Sequence, residues 1–275
     1  MKSIKDALDL RFGDFRASIE LQTAEHPGLK ALANRGVVRR FKSEPLPAAL
    51  LDTLCALALS SPTKSDLQQR DILIVEDPAI RGRINELLAD QDWIPGAPHV
   101  LIFLGNNRRQ RQVHEWRGHT FVNDHLDAFF NAAVDAGIAL SAFAVAAEMA
   151  GVGCCPVSVI RNHAEEVSRL CGLPDHVFPV AGLGVGWPSS PAFVSARLPL
   201  SATVHRDRYT ETSRETVDGY DRRRNGIFPY RQQRNVARFG KSDSYGWSED
   251  KARQYAEPER ADFGAFVKRK GFKLE

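Results

Sequence analysis

Between residues 121 and 150 the chain places apolar side chains at helical spacing, with Leu126, Phe129, Phe130, Ala133, Ile138, Leu140, Phe143 and Ala147 spread nearly all round the helix. A helix with no polar face must be covered on every side, so it calls for a sheet, other helices or a second subunit around it. Apolar runs bounded by turn residues lie on both flanks. Residues 71–76 and 99–104 read as strands before it, and 155–160 and 177–185 as strands after it. Gly151-Val152-Gly153 ends the helix. Strands interleaved with helices give the expected fold class, α+β, with a central mixed β-sheet flanked by helices.

Other helices are expected over residues 17–33, 46–60 and 78–90, the last launched by Asp77 as N-cap with Pro78 in the first helical position. A basic turn is expected at 108–111, and Asn162 is expected to cap a short helix ending at Cys171. From Leu200 onward apolar residues thin out, with helices near 208–223 and 259–269. Such a segment cannot build its own core and is expected to wrap another body.

With 43% hydrophobic and 26% charged residues in 275, the chain has material for a core, which excludes the disordered and collagen-like classes. Its longest uncharged stretches, 136–147 and 149–160, are split by Glu148, and the second carries Gly151, Gly153 and Pro156. Neither is expected to form the roughly 20-residue apolar helix that a bilayer needs. Asp6 and Asp9 stand where a signal peptide needs an apolar segment, so export is not expected. Four cysteines (Cys55, Cys154, Cys155, Cys171) make no disulfide framework, which fits a cytoplasmic location. The net charge of +3 implies no nucleic-acid partner, yet Arg222, Arg223, Arg224, Arg231, Arg234, Arg238 and Lys241 face a single acid, Asp221, between 221 and 241.

Several motifs fail on spacing. In His114-Glu115-Trp116-Arg117-Gly118-His119 the second histidine is at i+5, off the helical face that a zincin uses, and no other spacing suits a metal. Gly182-Leu183-Gly184-Val185-Gly186 runs into Trp187-Pro188 where a dinucleotide-binding helix must start, so it reads as a strand that lets neighbours approach closely. No Gly-x-Ser-x-Gly elbow supports hydrolase chemistry.

Three separated segments carry binding chemistry together. In Arg35-Gly36-Val37-Val38-Arg39-Arg40-Phe41, extended alternation puts Arg35, Val37 and Arg39 on one side, where guanidiniums reach a phosphate and an electron-rich ring. Ser61-Pro62-Thr63-Lys64-Ser65-Asp66-Leu67-Gln68-Gln69 is a polar turn rich in groups that bond hydroxyls or a ring edge. In the third, from Gly151 through Pro156 to Asn162, small residues and a proline would expose main-chain N–H groups to a flat ligand.

In this order, and followed by Arg197-Leu198-Pro199 and His205 to Tyr209, these segments resemble the FMN-dependent nitroreductase family, closest to its NADPH-dependent, oxygen-insensitive nitroreductase and flavin reductase branch. The resemblance implies a domain-swapped homodimer with FMN at the interface. It also implies a helical extension (1–30), an FMN-binding domain (31–205) and a C-terminal excursion packing on the dimer (206–275). Position by position, Arg35 matches the first phosphate arginine, with Gly36 and Val37 beside it, and Arg39 the basic residue at the flavin pyrimidine. Thr63, Asp66 and Gln68 match the polar motif, Pro156, Val157, Ser158 and Val159 the backbone along the ring with its donor to N5, and Arg197 the second phosphate arginine. Asn162 belongs to the same cofactor set. Departures are Val37 for Ser, Lys64 for the second Ser, Asp66 for Asn, and Ser195 for the Lys two residues before Arg197.

The activity so implied is two-electron, ping-pong hydride transfer from NADPH, or from NADH, through FMN to nitroaromatics, quinones or flavins, with Arg39 and Val159 as the catalytic groups. The 2′-phosphate of NADPH is assigned to Arg223, Arg224 and Arg231 of the basic run. The alternatives are another flavin chemistry on the same fold, such as reductive dehalogenation or flavin destruction, and a non-catalytic flavin-binding regulator.

Overall fold

The structure, a computed structural model, describes residues 1–275. In chain order its elements are α1 (Ile4–Phe12), α2 (Leu21–Ala24), α3 (Pro27–Asn34), α4 (Ala48–Leu59), β1 (Arg70–Ile74), α5 (Pro78–Leu87), β2 (His99–Asn106), α6 (Arg108–Trp116), α7 (Leu126–Met149), β3 (Gly153–Val157), α8 (Ala164–Leu170), β4 (Val177–Gly186), α9 (Arg214–Ile227), α10 (Val236–Phe239), α11 (Trp247–Tyr255) and α12 (Phe263–Arg269). They fall into two compact units, one made of 1–36 and 193–259, the other of 37–192 and 260–275.

The larger unit holds the sheet, in strand order β1-β2-β4-β3. Every pairing is antiparallel, where a mixed sheet was expected. Apolar runs reveal that segments are strands but carry no sign of strand direction, which the connections decide. The central helix α7 packs on this sheet together with α4, burying Leu54, Phe103, Phe143, Ala139 and Leu183 in one cluster. The opposite face of the sheet is covered by Ile84 of α5, Val167 of α8 and Ile160 just before α8, which cluster with Ile102 of β2. By length and composition α7 is apolar enough to cross a membrane, contrary to the expectation from the uncharged stretches. Its place over the sheet and the buried Asp135 near its middle mark it instead as the core helix of this unit. The glycine-rich β4 behaves as a close-packing strand: a Cβ on Gly184 would lie 2.6 Å from the Trp93 ring.

Local chemistry explains most boundaries. Asp77 caps α5, accepting from the N–H groups of Ala79 at 2.7 Å and Ile80 at 3.0 Å. The helix expected over 17–33 is split into α2 and α3, because Pro27 holds His26 in an extended conformation as the N-cap of a new helix. The expected turn at 108–111 is the start of α6, whose apolar face consists of little more than Val113 and Trp116, too few to mark a helical period. β3 stops at Val157, and a 3₁₀ turn over Val159–His163 stands where the strand was expected to continue. His163, and not Asn162, precedes α8, while Asn162 Oδ1 accepts from Arg260 at 3.1 Å. Of the C-terminal segment, α12 returns to the sheet unit, where Phe266, Val267 and Phe272 pack with Phe178 and Ala132 of α7.

Charge also ties the end of the chain down within this unit. Asp124 pairs with Arg111 and with Lys273 at 2.8 Å. The Arg111 hydrogen bond, against a smaller opposing effect of burial and aided by Lys273, holds its carboxyl at about 2. A carboxyl depressed on folding contributes stability above its ordinary value of 3.8 and loses it as pH falls from there toward 2. After solvent screening the contribution is on the order of 1 kcal/mol. Unfolding followed at pH 5 and pH 2.5 is expected to show that Asp124→Asn is less stable than the parent at pH 5 and nearly equal to it at pH 2.5. An equal gap at both values contradicts the ion-pair account.

Candidate cofactor site

In the sheet unit, the segment after Gly36 runs beside the edge strand β3. Val38 N donates to Cys154 O at 3.1 Å, Ser189 N to Arg40 O at 3.0 Å, and Lys42 N to Trp187 O at 2.8 Å. Alternation follows: Val38 is buried, while Val37 and Arg39 face solvent on the other side. In β3, Cys154, Cys155 and Val157 are buried while Pro156 and Ser158 are exposed, and the proline is tolerated because β3 is the sheet's last strand. The first and third sequence segments are thereby brought together, with Arg39 one residue beyond the hydrogen bond that joins them. Val159 opens the 3₁₀ turn, where the first N–H groups lack intrahelical acceptors.

The second segment is organised separately. Ser65, Asp66 and Gln68 have φ of 49°, 56° and 52°, left-handed values that non-glycine residues adopt only when the surroundings hold them. The hold comes from Asp135 on α7, which is 1% exposed. Its carboxylate accepts from the Thr63 hydroxyl, from Lys64 N at 3.1 Å and from Gln69 N at 3.0 Å. Arg70 Nη1 lies 3.8 Å from the same carboxylate, while its Nη2 donates to the carbonyls of Leu59 and Ser61. On the other side, α6 donates to the loop carbonyls: Arg109 Nη1 to Gln68 O at 2.5 Å, and Gln110 Nε2 to Leu67 O. The Thr63 hydroxyl, which also accepts from Gln68 N at 2.9 Å, is thus part of the loop's own structure. Lys64, Asp66 and Gln68 remain exposed, with Lys64 Nζ 3.5 Å from Asp127 and Gln68 Nε2 bonded to Asp66. Asp135, Arg109 and Gln110 were not identifiable in the sequence, since a lone acid in an apolar helix gives no hint of which distant N–H groups it meets.

Arg35 and Arg197 lie in the other unit. They sit far apart in sequence, yet Arg11 of α1 joins their segments: its Nη2 donates to Arg35 O, its Nη1 to Ser195 O at 3.3 Å, and its own carbonyl accepts Arg197 N at 2.6 Å. Arg35 is half-buried and Arg197 exposed, the latter donating to Ser195 Oγ at 2.5 Å and Ala196 O at 3.1 Å. Arg197 also lines a cavity of about 410 Å³ with Phe12, Tyr220 and Trp247.

The basic run divides by role. Arg223, expected on the nicotinamide cofactor, places its guanidinium on three backbone carbonyls, those of Leu10, Arg11 and Arg197. Arg224 lies 4.0 Å over the Tyr230 ring and donates to Phe228 O at 3.1 Å. Arg234 and Arg238 are ion-paired with Asp250 and Glu257, whereas Arg231 is exposed and has no ion pair. The acids that neutralise part of the run lie on and just after α11, a helix the sequence pattern did not reveal.

Comparison with known proteins agrees with this architecture. The sequence matches the Nitroreductase family over residues 32–187 and the Nitroreductase family, C-terminal domain, over 195–275. An FMN reductase [NAD(P)H] of Bacillus subtilis (strain 168) is 28% identical over 253 residues, spanning 90% of this chain and 98% of that protein. The oxygen-insensitive NADPH nitroreductase of Salmonella typhimurium is 29% identical over 195 residues, 71% of this chain and 80% of that one. The structure of B. megaterium NfrA2 superposes with a TM-score of 0.82 at 31% identity, covering 91% of this chain and 99% of that one. The antiparallel sheet under a long core helix is therefore the nitroreductase fold, and this chain belongs to the nitroreductase family.

Proposed function

We propose that this protein is an FMN-dependent oxidoreductase that takes a hydride from NADPH, or less effectively NADH, and reduces nitroaromatics, quinones or flavins by two-electron ping-pong transfer. The relatives named as an FMN reductase and as an NADPH nitroreductase support the reading. The observation that carries it is that the backbone segments holding Arg35 and Arg197 are joined through Arg11.

The donor set fits a flavin monophosphate. Arg35, Arg39 and Arg197 have no carboxylate partner, whereas Arg109, Arg111, Arg238 and Arg269 are each paired with one and Arg83 with two. Guanidiniums left without a protein anion suit an anionic ligand. In this reading Arg35 and Arg197 take the phosphate, and Ser195 with Gly36 and Val37 belongs to the same end. Lys64, Asp66 and Gln68 on the loop shaped by Thr63, with Pro156, Val157, Ser158 and Asn162, serve the rest of the cofactor. FMN supplies the two-electron hydride chemistry when bound. With FMN bound, Arg39 would supply a fixed positive charge for the pyrimidine end and Val159 a backbone N–H donor for the ring. Arg224 and Arg231 are left for the NADPH 2′-phosphate, with Arg223 held by the backbone.

A homodimer completes the proposal, together with a cytoplasmic location. Phe130, Val134 and Met149 of α7 are 59%, 41% and 52% exposed, an apolar stripe that a second copy would cover. Purified protein is expected to be yellow and dimeric by light scattering, to release FMN on heating as identified by mass spectrometry, and to oxidise NADPH with menadione or nitrofurazone. Bound FMN without turnover would mean a flavin-binding regulator instead, and a colourless protein that takes up no FMN sinks the reading.

A further inference from the structure

Residues 1–31 lie outside both stretches that match the family, yet they are fastened to the two segments assigned to the phosphate. Arg11 is 8% exposed, and its guanidinium spreads over three carbonyls in three directions: Nε to Ala33 at 2.9 Å, Nη1 to Ser195 at 3.3 Å, and Nη2 to Arg35. Its backbone carbonyl accepts both Arg197 N, at 2.6 Å, and Arg223 Nη2, at 3.0 Å. Arg223 continues the bracing, donating to Leu10 O at 2.8 Å and Arg197 O at 2.5 Å. Gly13, with φ +75°, makes this possible, since a Cβ there would lie 2.6 Å from Arg223 Nε. Three residues further along than Arg11, Asp14 accepts from Leu200 N, Ser201 N and Ser201 Oγ at 2.8, 2.9 and 2.8 Å, securing the chain just beyond Arg197.

We propose that Arg11 is the positioning residue of the phosphate end of the cofactor site, and that this N-terminal extension, through Arg11 braced by Arg223, fixes the spacing between Arg35 and Arg197. The inference rests on the reading of those two arginines as phosphate ligands. A phosphate grips two guanidiniums only when both stand ready, and an unfastened chain would have to be ordered at the moment of binding. One planar, five-donor fork can bridge carbonyls from separate segments; an ammonium carries its three donors on a single nitrogen, which cannot stand where Nε, Nη1 and Nη2 each meet their own carbonyl.

Titration of the full-length protein with FMN and with riboflavin, which lacks the phosphate, separates positioning from general folding. Arg11→Met is expected to raise the Kd for FMN about tenfold while leaving that for riboflavin within about twofold. Arg11→Lys should behave like Arg11→Met despite keeping the charge. Gly13→Ala reaches the same clamp through Arg223 and should again weaken FMN selectively. Combined with Arg197→Ala, Arg11→Met should add less than it costs alone, because the part of its effect that passes through Arg197 is already lost. Equal weakening of both flavins, an unchanged Kd for FMN, or full additivity with Arg197→Ala would overturn the proposal. If the parent protein binds FMN no more tightly than riboflavin, the assignment of Arg35 and Arg197 fails first and the clamp has no phosphate to serve.

Discussion

Asp135→Asn is expected to lower the thermal unfolding midpoint by about 10 °C, the largest effect of any single conservative change outside the apolar core. The carboxylate is 1% exposed, and all of its partners are donors: the Thr63 hydroxyl, two backbone N–H groups and the Arg70 guanidinium. An amide offers one acceptor oxygen where the carboxylate offers two, and turns its NH₂ toward groups that also donate. Arg70, buried to the same degree, would be left without a counter-charge, with its Nε and Nη1 already lacking hydrogen-bond partners. Breaking a buried pair in this way costs about 3–5 kcal/mol, and a chain of this size shifts by about 2–4 °C for each kcal/mol. Circular dichroism melts check it. A double variant, Arg70→Met with Asp135→Leu, restores charge balance but not the acceptors for Lys64 N and Gln69 N, so it should recover only part of the loss. A midpoint unchanged in Asp135→Asn would show that the left-handed loop at 65–68 holds itself.

Arg197→Ala should weaken FMN binding by about 1.5–3 kcal/mol, which is about ten- to more than a hundredfold in Kd. The side chain is exposed and its backbone is fastened independently, through Arg197 N to Arg11 O and Arg197 O to Arg223. Truncation therefore removes the guanidinium without loosening the chain, and the melting temperature of the flavin-free protein should stay within a degree or two. Fluorescence titration with FMN measures the affinity. Equal flavin affinity in variant and parent refutes the phosphate role of Arg197, whatever the outcome at Arg11.

The elements that the sequence revealed are those whose signal is local. Asp77 and Pro78 start α5 because a side-chain acceptor and a fixed φ act within one turn. The sheet's strands and α7 declared themselves by apolar runs and period, and the basic segments named their candidate ligands by residue type. Elements with sparse apolar residues stayed hidden: α6 read as a turn, and α1 and α11 gave no period at all, because their stability comes from what they pack and bond to.

The α+β class, the family resemblance and the cationic side chains proposed for a flavin, Arg35 and Arg197 for its phosphate and Arg39 for its ring, are legible along the chain because they follow from residue type and order. How the arginines and acids divide their work is settled by folding. Arg11 and Arg223 spend their guanidiniums on backbone carbonyls, Arg234 and Arg238 on acids, and Asp135 on a loop some seventy residues earlier, while Arg35, Arg39 and Arg197 keep no carboxylate partner. Residue type sets what a guanidinium or carboxylate can bind, but the partner it takes depends on which groups the folded chain brings within about 3 Å, and hydrogen bonds of that length carry no trace in one-dimensional spacing.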